Sequence, residues 1–319
     1  MPAWLALLCL AGCAINPRFD LAETVDGAQP RQLQAVPFFA QTQFQCGPSA
    51  LAGVLGASGV QTSPEALSPQ VYLPERRGSL QVELLAAARR AGRVAYVIED
   101  EPEVLFAQVE SGRPVLVLQN LGTRNVPVWH YAVLVGFDPD ANKVYLNSGR
   151  DQGLSQDARK FLRTWDWAGR WAMVALRPGD LPARAERQNY AEAVAVFERV
   201  AGVGDAERAW RAAIAHWPDD SRPWLALGNL AHAGDDRETA VQRYRAGLQR
   251  APDDAVLTNN LASTLGEMGC SRTAESLLNP VWATLPEDSP WRPALAGTVA
   301  ELSNRPGADP ERCARLLHP

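Results

Sequence analysis

The stretch Gln41 to Gly56, QTQFQCGPSALAGVLG, sets one cysteine between a polar loop and an apolar run with helical spacing. Gly47 offers a tight turn, Pro48 suits a first helical turn because no amide donor is needed there, and Ser49 to Leu55 carries the helix on. A thiol reacts as its thiolate, and a helix N-terminus lowers its pKa because the dipole and the unpaired amides favour negative charge. Cys46 is therefore placed as a nucleophile, and a nucleophile needs a base within hydrogen-bond reach.

The chain has four histidines. His216 and His232 fall in a repetitive second half and His318 beside the C-terminus, so His130 is the candidate base. It opens the apolar run YAVLVGF behind Trp129, where an imidazole can face a cleft while its strand is anchored in the core. The surrounding grammar is mixed. Leu80 to Ala91 and Pro102 to Ser111 have helical periodicity; Arg93 to Ile98, Pro114 to Leu118, Tyr131 to Phe137, Lys143 to Asn147 and Arg170 to Leu176 read as strands. The turn chemistry of Asp138, Pro139, Asp140 and Asn142 makes a hairpin of the third and fourth strands. Helices followed by a largely antiparallel sheet describe an α+β domain. Gly179 to Arg187 reads as a linker.

At 319 residues, two compact units are expected. A formal net charge of -5 without a dense Lys/Arg run argues against nucleic acid as a partner. The sequence has none of the spacings CxxC, HxxxH or HExxH that would suggest a metal site, and GVLGASG lacks the Lys of a phosphate loop, so neither metal nor cofactor is expected.

The run VPFFAQTQFQCGPSALAGVL, followed by WHYAVLVGFD and VYLNSG, resembles the bacteriocin-processing, double-glycine peptidase-like cysteine peptidases of the papain-like superfamily. The resemblance covers Val36 to about Leu176 and implies an enzyme, a papain-like cysteine peptidase domain over 36-178 that hydrolyses peptide bonds in a peptide or protein substrate. It implies Cys46 as nucleophile, His130 as general base and then acid, and Gln41 as side-chain donor of the oxyanion hole beside the backbone amide of Cys46. Gln43 and Gln45 are rivals for the last role. Most of the family carries Asp on the strand after the histidine, whereas this chain reads Leu146-Asn147-Ser148-Gly149. Asn147 is the expected orienter of His130, with Ser148 as the alternative.

Pro218, Pro252 and Pro286, in WPDD, APDD and LPED, recur at a spacing of 34. In the same frame a small residue falls on Ala206, Ala240 and Ala274, and a bulky one on Trp210, Tyr244 and Leu278. Trp224, Leu227 and Gly228 fit the first helix of the middle frame. The period and these positions resemble tetratricopeptide repeats, implying an all-α solenoid over 187-319, in frames 187-220, 221-254 and 255-288 with C-terminal capping helices, that holds a protein partner.

MPAWLALLCLAGCA begins with about a dozen apolar residues, short of the ~20 that span a membrane. It reads as a signal peptide over 1-12, and Leu10-Ala11-Gly12-Cys13 resembles a lipobox. That implies lipid on Cys13, a tether over 13-35, and an outer-membrane lipoprotein facing the periplasm, since Ala14 and not Asp follows the cysteine. The Lys or Arg usual before such a run is missing from it; a start further upstream and an ordinary apolar helix are the alternatives. In an oxidising compartment Cys270 and Cys313 are the plausible pair, with two free thiols as the other outcome. Two further functional readings remain: a degenerate scaffold acting through its repeats, and a papain-like hydrolase of peptidoglycan.

Overall fold

The structure is a computed structural model that describes residues 21–25, 27–41, 45–305, 313, 315 and 316. The segment 1-12 expected to be a signal peptide, Cys13 and Gln43 lie outside the described residues.

The chain opens with α1 (Leu21–Thr24), the short strand β1 (Arg31–Gln32), α2 (Cys46–Ala57), α3 (Pro64–Val71) and α4 (Gln81–Arg90). Strand β2 (Val94–Val97), α5 (Pro102–Glu110), β3 (Val115–Asn120), β4 (Trp129–Asp138), β5 (Lys143–Ser148), β6 (Asp151–Asp157), α6 (Ala158–Asp166) and β7 (Ala172–Leu176) follow. The strands form one antiparallel sheet in the order β2-β7-β3-β4-β5-β6, and β1 pairs with β4.

Side chains alternate across that sheet. Val115, Val117, Ala132 and Leu134 join a core with α5 and α6, while Leu116, Leu118, Tyr131, Val133 and Val135 join a second core with α2, α3 and α4. Both faces are covered, so β3 and β4 read as continuous apolar runs, and each fully buried Val or Leu contributes about 1.5–3 kcal/mol.

Five elements of this half escaped the sequence expectations: α1, β1, α3, β6 and α6. Strand β6 is polar and mostly exposed, held by pairing with β5 from Lys143↔Asp157 to Ser148↔Asp151. Helix α6 begins where the side chain of Asp157 accepts from the amide of Lys160 at 3.2 Å, an ordinary N-cap.

The C-terminal region is helical: α7 (Arg187–Glu198), α8 (Val203–His216), α9 (Arg222–Ala233), α10 (Arg237–Leu248), α11 (Ala255–Glu267), α12 (Ser271–Thr284) and α13 (Arg292–Ser303). Each 34-residue frame holds two of these helices. Ala206, Ala240 and Ala274 are buried, as are Trp210, Tyr244 and Leu278. At Gly228 a Cβ would collide with the Tyr244 ring, so only glycine lets α9 and α10 approach this closely. A disulfide joins Cys270 to Cys313, with Cα atoms 5.6 Å apart.

The segment ahead of α7 is a linker by composition but is tied down. Buried Gln108 on α5 donates to the carbonyl of Ala183 at 2.7 Å and accepts from its amide at 3.0 Å. Tyr190, Val194 and Phe197 of α7 complete the core begun by Val94 and Tyr96 of β2.

Candidate active site

Helix α2 rests on β4 through Ala50, Leu51 and Val54 against Val133 and Val135, which brings its first residue, Cys46, level with the start of that strand. The helix begins at Cys46 itself, so Gly47 is inside it, not in a turn ahead of it. Glycine is needed there for packing: a Cβ would lie 2.6 Å from the Ser79 Cβ. Pro48 is in the first turn, where its missing amide leaves no bond unmade.

Cys46 and His130 line one cavity of about 900 Å³, with Gln41, Ser79, Leu80, Tyr131 and Gly149 also in its wall. The lowered thiol pKa expected at a helix N-terminus is overturned. Backbone amides of Tyr131, Gly47 and Cys46 do favour the thiolate, but burial outweighs them and pushes the thiol above its ordinary value. Burial also holds His130 below its ordinary value. The resting pair is thiol and neutral imidazole, and among the described residues no hydrogen bond joins the two.

The histidine's partner is Ser148, whose Oγ lies 2.9 Å from Nε2. The geometry corrects the expectation for Asn147. In the β4–β5 register Val133 faces Asn147, so alternation puts Asn147 on Val133's side of the sheet and His130 on the opposite side, with Ser148. Asn147 is buried, and its Oδ1 accepts from the amide of Gly153 at 3.0 Å, bracing the β5–β6 turn.

Gln41 is held at the cavity by two bonds: its amide donates to Gly149 O at 2.8 Å and its Nε2 to Tyr131 O at 3.4 Å. Gln45 lines a different hollow, with Phe38 and Pro64. Sequence reasoning missed two further parts. Buried Asn120 folds the β3–β4 arm, accepting from Gly122 N and Val128 N at 3.0 and 2.9 Å and donating to Thr123 O at 2.9 Å. The arm carries Val128 and Trp129 into the cavity wall. The segment Arg76 to Leu80 forms another side of it. An Asn ahead of a Gly-containing loop was the available signal for the first; the second had none. Among the described residues no three His, Cys, Asp or Glu side chains converge as a metal site requires.

Residues 33–173 match the model of the Peptidase C39 like family. The matched segment is a cysteine peptidase domain. Among solved structures, the chain is similar to one from Bacillus anthracis described as a C39-like peptidase, at 19% identity over 47% of this chain and 98% of that one, with a TM-score of 0.39. It is similar to a double glycine motif protease from an AMS/PCAT transporter in complex with the leader peptide, at 21% identity over 46% and 97% of the two chains, TM-score 0.35. A third is the peptidase domain of Streptococcus ComA, a bifunctional ABC transporter of a quorum-sensing pathway, at 17% identity over 45% and 98%, TM-score 0.37. No curated protein matches the chain.

Proposed function

We propose that the chain is an exported, lipid-anchored thiol peptidase in which Cys46 and His130 cleave peptide bonds and the helical region is a tetratricopeptide array holding a protein partner. The observation that carries the reading is the shared cavity: the one free cysteine among the described residues and the histidine that opens β4 line the same wall. Neutral His130 takes the proton of Cys46 as the sulfur attacks the scissile carbonyl, then delivers it to the departing amine. Water, deprotonated by the same imidazole, hydrolyses the thioester. Ser148 orients the ring, and Gln41 with the Cys46 amide receives the developing oxyanion, where one donor is worth about 100- to 1000-fold in rate.

Export is supported by the Cys270–Cys313 disulfide, a bond that persists in oxidising compartments. The repeat assignment draws on the two helices in each 34-residue frame and on the buried Ala206, Ala240 and Ala274. One observation favours the scaffold reading instead, the missing Cys46–His130 hydrogen bond, although such bonds often tighten only once substrate is bound. The test is turnover of a quenched fluorescent peptide library by the full chain and by its Cys46→Ala and His130→Ala variants. Cleavage abolished by the first and reduced about 100- to 10,000-fold by the second supports the proposal; cleavage that survives Cys46→Ala, or no cleavage by the parent protein, refutes it.

A further inference from the structure

The charged residues lining the cavity are Arg76, Arg77 and Arg150; among the described residues no Asp or Glu lines it. This is unexpected in a chain of net charge -5. Elsewhere some guanidinium groups are matched, as Arg170 is by Asp166 and Arg222 by Asp220, while others such as Arg89 stand without an acidic partner. Among the described residues the guanidinium groups of the three cavity arginines form no ion pair or hydrogen bond; only the backbone amides of Arg76 and Arg77 are bonded, to Leu73 O and Pro74 O. Their sequence neighbours Glu75 and Asp151 lie outside the cavity wall.

The loop that presents two of them is built, not loose. A short 3-10 turn spans Pro74–Arg76, and Leu73 and Gly78 close its base through amide–carbonyl bonds of 2.8 and 3.4 Å. Arg77 holds a left-handed conformation at φ 48, which glycine or asparagine adopts at lower cost. The backbone alone thus gives no reason for an arginine there. Next to the loop, Ser79 accepts from Tyr131 Oη through its carbonyl at 3.3 Å, fixing the arginines relative to the strand that carries His130. Its own hydroxyl is buried on the cavity wall without a hydrogen-bond partner. Facing this polar side is the apolar arm, where Val128 and Trp129 are more than half exposed.

We propose that the cavity selects peptides that bear a carboxylate near the scissile bond beside an apolar residue, with Arg76, Arg77 and Arg150 as specificity-determining residues. This names the substrate class of the peptidase proposed above and rests on that reading. Guanidinium is the side chain best shaped for a carboxylate, which it grips through two parallel N–H donors. The carboxylate belongs either to an Asp or Glu side chain or to a peptide C-terminus.

Two measurements on the full chain separate this inference from the peptidase reading. Binding is measured on the Cys46→Ala protein by fluorescence anisotropy with labelled dodecapeptide pools: one rich in Asp and Glu, and a matched pool carrying Asn and Gln, each with a free or amidated C-terminus. Three exposed pairs acting together predict about tenfold tighter binding of the carboxylate-bearing pool. That preference disappears in the Arg76→Gln, Arg77→Asn, Arg150→Gln triple variant, whose unchanged circular dichroism shows that it folds. A preference that follows the free C-terminus in the Asn/Gln pool assigns the terminal carboxylate; one that follows composition assigns the side chain. Equal binding of all pools, or a preference that survives the triple variant, overturns the inference. Cleavage by the parent protein is then read on the same pools: discrimination without cleavage removes the peptidase reading alone, and cleavage without discrimination removes the carboxylate preference alone.

Discussion

Replacing Ser148 by Asp puts a negative charge where a neutral hydroxyl now stands 2.9 Å from His130 Nε2. At about 4 Å between charge centres and an effective dielectric of about 20, an imidazolium–carboxylate pair gains about 4 kcal/mol. If half of that survives desolvation of the new carboxylate, the imidazole pKa rises by more than about one unit, reversing the depression that burial imposes. A cationic ring in turn stabilises the Cys46 thiolate, so the resting pair shifts from neutral toward ionised. The assay is alkylation by iodoacetamide from pH 4 to 9, read at Cys46 by mass spectrometry so that other thiols do not contribute. Ser148→Asp is expected to extend reactivity to lower pH, while Ser148→Ala, which loses one hydrogen bond worth about 1 kcal/mol, slows turnover about fivefold. If Ser148→Asp folds normally and leaves the Cys46 profile unchanged, the histidine does not take its electrostatic environment from position 148.

Three other outcomes are expected. Because burial lowers the His130 pKa and the ring must be neutral to accept a proton, the acid limb of kcat/KM should fall below the ordinary imidazole value of about 6.5; a limb above it, in a titration of the unmodified protein, contradicts the neutral-pair assignment. Gly47→Ala forces a Cβ to within 2.6 Å of the Ser79 Cβ and should cost about 1–3 kcal/mol, seen as a lower urea midpoint together with reduced turnover. Reducing the Cys270–Cys313 bond, which spans 43 residues, should cost about 4 kcal/mol by loop-closure entropy, with hydrogen-exchange protection lost first in α11 to α13; protection unchanged by reductant would contradict it.

Much of the architecture is written in local patterns. Strands β3 and β4 are legible because cores on both sides demand long apolar runs, and the turn residues between Phe137 and Lys143 mark the β4–β5 hairpin plainly. Strand β6 was not, because DQGLSQD owes its place to hydrogen bonding with β5 and buries little. The site divides the same way. Cys46 announces itself through the glycine and proline behind it, and His130 through the strand it opens. The choice between Asn147 and Ser148 depends on the parity of the β4–β5 register, with its irregularity between Leu134 and Gly136, which no local pattern specifies. The direction of the Cys46 pKa was likewise misread, because the helix N-terminus is visible in sequence and the depth of burial is not.

The bond pair between Gln108 and Ala183, with the apolar surface that β2 shares with α7, bears on how the protein can be divided. Similarity to the peptidase family ends at residue 173, yet the free energy of folding has no seam there. A chain cut after Pro178 would bare Val94 and Tyr96 to water and orphan a buried amide, inviting aggregation of the severed half. The half that matches the peptidase family therefore borrows part of its interior from the helices that follow, and the two are expected to fold as one piece.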